Sequence, residues 1–336
     1  MNPARAVVVG IEGERLSENE RRLFCEFPPA GFILFQRNCV SRPQLRALVA
    51  ELKELFEDRW VPVLIDHEGG RVQRMRPPVW RNHPPAGRIG ALDAGQRETA
   101  VRLWASLLAA DLADVGIDVD CAPVLDIRRP ETTGAIGDRA LSDDPQTVAS
   151  LGRAFIATML DHGVAPVIKH LPGHGRARVD SHELLPRLAV PADELATFDF
   201  LPFVQCADRA PFAMTAHIVF EALDADRPAT ESAAVIREII RERIGFRGIL
   251  FSDDLGMKAL SGPVDERAMR ALAAGVDLPL HCSGDFGEMR AILTSVPVMP
   301  EPRFALLQDL RPVAVPSAPD GERLTAQLDR LLASHA

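Results

Sequence analysis

The sequence predicts an α/β protein, a single (β/α)8 barrel of the TIM type, on three observations. Short apolar runs alternate with helical periods eight times, the runs are continuously apolar, and five successive runs end in ionisable residues. Strand–helix alternation of this kind leaves a barrel or a doubly wound open sheet. Continuous apolar runs are expected of parallel strands covered on both faces. An open sheet gathers its site at one switch point, whereas a barrel brings every strand end to one rim. Asp66, Asp126, Lys169 with His170, His217 and Asp253 close the third to seventh runs, which favours the barrel.

The predicted strands are residues 6–9, 32–35, 61–65, 119–124, 164–168, 212–215, 249–251 and 276–280. Between them, 42–56 carries Leu45, Leu48, Val49, Leu52 and Leu55 at a helical period, and 97–115 repeats it with Val101, Trp104, Leu107, Leu108 and Leu112. Residues 145–160, 192–206, 233–244 and 265–274 complete the helical series. Asp144 before Pro145 reads as an N-cap with proline at the first helical position. A last amphipathic helix, 321–332, follows a proline-rich stretch at 311–319. No linker rich in Gly, Ser or Pro marks a second domain. Residues 1–336 are therefore expected to form one catalytic domain, its barrel over about 5–285 and a C-terminal helical extension over about 286–336.

Composition narrows the function. A chain of 336 residues with 47% hydrophobic and 25% charged content suits a globular enzyme with a sizeable core. A formal charge of −9 argues against a nucleic-acid surface, while a few local arginines could still bind an anionic small ligand. The five cysteines are odd in number and unpaired in spacing, so free thiols and a reducing compartment are expected. The N-terminus lacks a secretory apolar segment, and no run approaches the ~18 apolar residues of a membrane span. The expectation is a soluble cytoplasmic protein with no membrane partner, a monomer by default.

Chemistry is densest at 168–182, where Lys169, His170, His174, Arg176, Arg178, Asp180 and His182 crowd the exit of one strand. Loops held at strand ends by a rigid scaffold are where catalytic groups usually sit. His182 with Asp180 forms an i, i+2 pair in which a carboxylate can orient an imidazole that gives and takes a proton. Ser181 has no Gly-x-Ser-x-Gly elbow and reads as a turn residue. Asp253, at the end of an apolar strand, reads as a nucleophile or a metal ligand, and one of Asp253 and Asp254 as a helix N-cap. Strand alternation should let only one of that pair face the barrel axis. Arg74 and Arg139 read as fork donors to an acyl carbonyl or carboxylate, or equally as structural ion pairs with Asp66 or Asp138. His170, His174 and His182 could ligate a metal, but Pro172 and Gly173 break any helix that would align the first two, so no metal or other cofactor is expected. The chain has no Tyr, which removes a tyrosine nucleophile.

Taken together these motifs resemble the family 3 glycoside hydrolases, and within them the bacterial β-N-acetylglucosaminidases of cell-wall recycling. The resemblance rests on Gly31-Phe-Ile-Leu-Phe-Gln-Arg-Asn38, Ile65-Asp-His-Glu-Gly-Gly-Arg-Val-Gln-Arg74, Ala122-Pro-Val-Leu-Asp126, Gly137-Asp-Arg139, Lys169-His-Leu-Pro-Gly-His-Gly175 with Asp180-Ser-His182, Met214-Thr-Ala-His217 and Phe251-Ser-Asp-Asp-Leu255. It implies a lone barrel, with Asp253 as nucleophile and His182, supported by Asp180, as general acid/base. It places Asp66, Arg74, Arg139, Lys169 and His170 around an N-acetylglucosamine ring, with His217 on the same rim. The implied reaction is retaining removal of terminal N-acetylglucosamine from peptidoglycan fragments (N-acetylglucosaminyl-1,6-anhydromuramyl peptides). His67 stands where Gln is common in that family, Gly256 where Ser is common, and the tail beyond Phe286 has little to match. A phosphorylase using the same pocket, a metal-dependent barrel hydrolase and a non-catalytic sugar-binding protein are the alternatives. The composition of 173–180, glycine-rich and charged, further predicts a loop with little apolar anchorage that moves to deliver His182.

Overall fold

A computed structural model describes residues 4–129, 134–181, 183–313 and 320–334. Eight parallel strands close into a barrel in sequence order: β1 Arg5–Gly10, β2 Pro29–Leu34, β3 Val63–Ile65, β4 Val119–Asp120, β5 Ala165–Leu171, β6 Phe212–Thr215, β7 Ile249–Asp254 and β8 Leu278–His281, which pairs back onto β1. Every predicted strand is present, and the differences lie at the ends. β4 stops at Asp120 rather than 124, and its ladder resumes only as an isolated Val124–Lys169 bridge. Pro123, in between, has no N–H to donate. β5 runs on to Leu171, so Lys169 and His170 are the last rungs of a strand rather than the start of a loop.

Strand periodicity divides the core into two layers. Along β1, Ala6 and Val8 point into the barrel while Val7 and Val9 meet the helices, and all four are buried. Inside the barrel Ile33, Leu64, Val167 and Met214 pack in one cluster with Phe212 and Phe251, whose rings are 5.5 Å apart. Trp60 packs on Phe212 at the lower end, and the helix Glu301–Asp309 seals it, with Gln308 bonding both the Trp60 N–H and its carbonyl. This apolar plug is what forces polar side chains to the opposite, C-terminal mouth.

The outer helices follow their caps. Asp144 accepts the Thr147 N–H at 2.8 Å, with Pro145 opening the helix as predicted. Ser41 and Gln44 form a reciprocal capping box on Arg42–Glu54. Four α-helices among the described residues were not predicted: Glu18–Glu26, Ala86–Gly90, Phe286–Ser295 and Glu301–Asp309. Glu18–Glu26 has only Leu23 and Phe24 as buried apolar residues, so its period is faint, but its Ser17–Glu20 capping box is a legible signal. Phe286–Ser295 starts on the Asp285 cap and is the outer helix that follows β8. The predicted helix 192–206 is helical over nearly its whole span but changes type, from Ala192–Glu194 through a π-helix at Leu195–Asp199 to Leu201–Cys206, where Pro202 withholds an N–H. The helix Gly321–Ala333 buries Leu328 and Leu332 against Ala94–Asp114, so the tail is built onto the barrel wall. All five cysteines are free, and among the described residues no helix is long and apolar enough to cross a membrane.

Candidate active site

A cavity of about 280 Å³ opens at the C-terminal mouth. Its wall includes Asp66, Arg74, Arg139, Lys169, His170 and Asp253, residues from four different strand exits, and Asp180 joins them from the loop after β5. The convergence of groups scattered over nearly 190 positions is a consequence of barrel closure.

Beneath the wall the charges are interlocked. Lys169, almost fully buried, sets its ammonium 2.9 Å from Asp66 and 2.6 Å from Glu68. Arg139 grips Glu68 with two parallel bonds, Nε at 2.7 Å and Nη2 at 2.8 Å, and Arg74 reaches Asp66 at 3.1 Å. Burial would raise the Asp66 carboxyl, but Lys169 and Arg74 hold it well below the usual range; burial opposed by Arg139 and Lys169 leaves Glu68 at about 2. Burial would lower Lys169, but Asp66 and Glu68 keep it above its ordinary value, so it stays an ammonium. Two carboxylates against three cations form a nearly balanced frame whose donors are fixed before any ligand arrives. The ion-pair reading of the arginines is therefore realised for Arg74 with Asp66. For Arg139 the partner is Glu68 rather than Asp138, which instead pairs with Arg71.

His170 is held from behind. Its Nδ1 lies 2.6 Å from Asp126 Oδ2, and its Nε2 lies 3.5 Å from Arg139 Nη2 on the cavity side. Asp126, buried by β4's continuation, also accepts the His174 backbone N–H at 2.6 Å. Asp253 faces the cavity, its Oδ1 accepting the Asp254 N–H at 2.8 Å. Burial pushes its carboxyl up, but His170, His217, that N–H and Lys169 outweigh burial and keep it below the usual range, hence ionised. An ionised, weakly engaged carboxylate is what a nucleophile requires.

Four expectations need correction. Asp253 and Asp254 both line the cavity, because β7 carries an extra residue between the Phe251–Leu278 and Asp254–Leu280 pairings and the bulge cancels alternation. The expected helix N-cap is absent: Asp254 accepts the Gly256 N–H at 3.0 Å within a turn, and the next helix, Val264–Ala274, starts after Pro263. His217 is fully buried and not on the cavity wall. Its Nδ1 meets Thr230 Oγ1 at 2.8 Å and its Nε2 meets the Asp254 carbonyl at 3.0 Å, so it braces the end of β7 from behind. The loop after β5 is anchored over 173–177: Ala177 is 2% exposed in the main core, and Arg176 bonds Asp199 and Glu194 beside Phe198. Charge did not imply solvent there, because Asp199 was already waiting in the wall. His182 lies outside the described residues. Among the described residues no three His, Cys, Asp or Glu converge as metal ligands, and His170 and His174 stack edge-on at 5.5 Å, each committed to a protein partner.

Sequence reasoning put Asp126 at a strand end and offered His174 as a metal ligand without finding the role of either, and it gave Glu68 no role. Glu68 sits two residues after Asp66 with the same strand-exit signal, and Asp126 closes a strand, but the contacts that give them their roles are non-local. Two outcomes follow from this geometry. A Cβ on Gly175 would stand 2.1 Å from the Ile127 carbonyl, so Gly175→Ala must displace the loop and is expected to lower kcat/KM roughly 10²-fold. Retention of wild-type kinetics would contradict the tight packing. Acid should also destabilise the fold. His67 is fully buried with neither ring nitrogen bonded, and burial holds His67 well below 6.5 and His174 at about 4. Above pH ~6.5 both states are neutral; below it the unfolded chain gains protons that the folded one refuses, so stability falls as pH drops toward 4 by up to about 1.4 kcal/mol per unit per histidine. Denaturation midpoints of His67→Gln should decline less steeply from pH 6.5 to 5 than wild type; equal slopes would contradict this assignment.

Comparison with known proteins identifies the family. The model of the glycosyl hydrolase family 3 N-terminal domain matches residues 6–305. The chain belongs to glycosyl hydrolase family 3. Among its relatives, a β-hexosaminidase of Alkalilimnicola ehrlichii is 42% identical over 285 residues, covering 82% of this chain and 80% of its own length. One from Idiomarina loihiensis is 33% identical, with 89% and 90% covered. NagZ from Neisseria gonorrhoeae, solved in complex with N-trifluoroacetyl-D-glucosamine, superposes with a TM-score of 0.85 at 30% identity over 98% of this chain and 97% of that one. The family 3 barrel is thus present along nearly the whole chain, and the protein is a glycoside hydrolase.

Proposed function

We propose that the protein is a retaining exo-β-N-acetylglucosaminidase that removes terminal N-acetylglucosamine from peptidoglycan fragments of the N-acetylglucosaminyl-1,6-anhydromuramyl peptide type, in the cytoplasm and without a metal. The single observation that carries this reading is the convergence of Asp253 with Asp66, Arg74, Arg139, Lys169 and His170 in one cavity. Its volume, about 280 Å³, is at the small end of ligand sites and suits one sugar ring. The names of the relatives support the N-acetylhexosaminide class.

In the first step the Asp253 carboxylate bonds to the anomeric carbon as the bond to the departing oxygen breaks, and His182 delivers its proton to that oxygen. Water then attacks the glycosyl-enzyme, giving its proton to neutral His182, and the sugar leaves with its anomeric configuration retained. Asp180 would orient the imidazole and stabilise its charged form. A histidine here also avoids setting a second anion beside Asp253. Asp66, Arg74, Lys169, Arg139 and His170 would hold the ring hydroxyls and acetamido group. The direct experiment compares an aryl N-acetyl-β-glucosaminide with the plain aryl glucoside. Turnover of the first, more than about 100-fold faster than the second, is expected because a site built to bond an acetamido group leaves buried donors unpaired without it. Equal rates would overturn the reading, and sugar 1-phosphate as product in phosphate buffer would replace hydrolysis by phosphorolysis.

A further inference from the structure

We infer that His174 is a positioning residue for proton transfer: its imidazole holds the turn at Asp180–Ser181 in place, and Asp126 holds His174. The inference rests on the proposed pairing of Asp180 with His182 as acid/base. His174 is 4% exposed and borders the cavity, with its Nε2 3.1 Å from Ser181 Oγ. Its backbone N–H is fastened to Asp126 at 2.6 Å, the same carboxylate that orients His170. Ser181 is 3% exposed and its carbonyl accepts the Ala259 N–H at 3.3 Å. The Asp180 carbonyl accepts the Glu183 and Leu184 N–H groups at 2.9 and 3.0 Å. The turn is thereby fastened at Ser181, and the bond that reaches back to the barrel rim runs through the His174 ring.

The chemistry of the ring suits a holder rather than a second acid. Burial keeps His174 neutral near pH 7, so it has one N–H to place. Its Nδ1 is shut away from solvent without a protein partner. A buried orphan N–H is rarer and costlier than an orphan acceptor, which puts the hydrogen on Nε2, donating to Ser181 Oγ. The Ser181 hydroxyl then keeps its own hydrogen for another acceptor. Neither His174 nor Ser181 gives a proton to the substrate. They fix where the group that does so stands, and general acid catalysis is steep in that position.

The test uses kcat/KM, which reports glycosidic cleavage, on two substrates. A dinitrophenyl N-acetyl-β-glucosaminide leaves without protonation, whereas N,N′-diacetylchitobiose needs the acid. His174→Ala and Ser181→Ala are each expected to lower chitobiose cleavage about 10²-fold and dinitrophenyl cleavage less than about 3-fold. The double variant should be little worse than either single one, because both remove the same bond. His174→Gln, whose amide can still donate to Ser181, should recover most of the loss. Equal losses on both substrates, or no loss on chitobiose, would overturn the inference; Ser181→Ala, a one-oxygen deletion, guards against a folding failure at His174. His182→Ala separates the two layers. A leaving-group-independent effect there sinks the acid/base assignment itself, whereas a selective effect at His182 with none at His174 sinks the positioning role alone.

Discussion

Asp253→Ala is expected to lower kcat on an aryl N-acetyl-β-glucosaminide by at least about 10⁴-fold while leaving the affinity for free N-acetylglucosamine within about 10-fold. The split follows from the geometry. Asp253 touches the frame of Lys169, Asp66, Glu68 and Arg139 only through the field, and its one assigned bond is to the neighbouring Asp254 N–H. Removing it therefore deletes the proposed attacking oxygen without unpairing the groups proposed to grip the sugar. Added azide should enter the vacated side of the ring and yield the glycosyl azide of inverted configuration, restoring part of the rate. A variant that keeps more than a hundredth of wild-type turnover would remove Asp253 from the nucleophile's place. A variant that loses sugar binding along with turnover would make it a ligand-holding residue instead.

Glu68→Ala is expected to be the most destabilising change at the site, although Glu68 lies beneath the cavity wall. Glu68 is 4% exposed and takes both Arg139 bonds and the shorter Lys169 contact. Its loss would leave two buried cations with only Asp66 to answer them. Breaking a buried pair from one side costs about 3–5 kcal/mol, mostly the penalty of the stranded partner. Chemical denaturation should show the midpoint falling at unchanged slope. Glu68→Gln, which keeps an acceptor but not the charge, should lie between. Turnover should fall too, because Arg139 and Lys169 would lose the anchor that aims them. An Ala variant within about 1 kcal/mol of wild type would mean that the frame is solvated and that the balance of charges described here is not what holds it.

The barrel was legible because its evidence is local and repeated. Each strand is a short apolar run whose two faces are both covered, and each helix has its own period and cap. Short elements with few buried residues, such as Glu18–Glu26, fall below that threshold and show only through a cap. The site was legible to the extent that it follows from one geometric fact: residues at the carboxyl ends of parallel strands meet. Asp66, Lys169, His170 and Asp253 could be named without knowing their neighbours, and they do share a cavity.

What the amino-acid sequence determined by itself was the alternation of elements and the set of polar groups delivered to one rim, since both are written in the order of neighbouring residues. Only the tertiary structure decided how those groups are partnered. Arg139 finds Glu68 across 71 positions, a bulge in β7 turns Asp254 inward beside Asp253, and His217 goes behind the end of β7 instead of onto the cavity wall. The loop after β5 is seated by Ala177 and Asp199 where its composition suggested freedom. The physical reason is common to all four. Whether a charge meets water or a counter-charge depends on what closure of the barrel brings next to it, and that distance is set by the whole ring of strands.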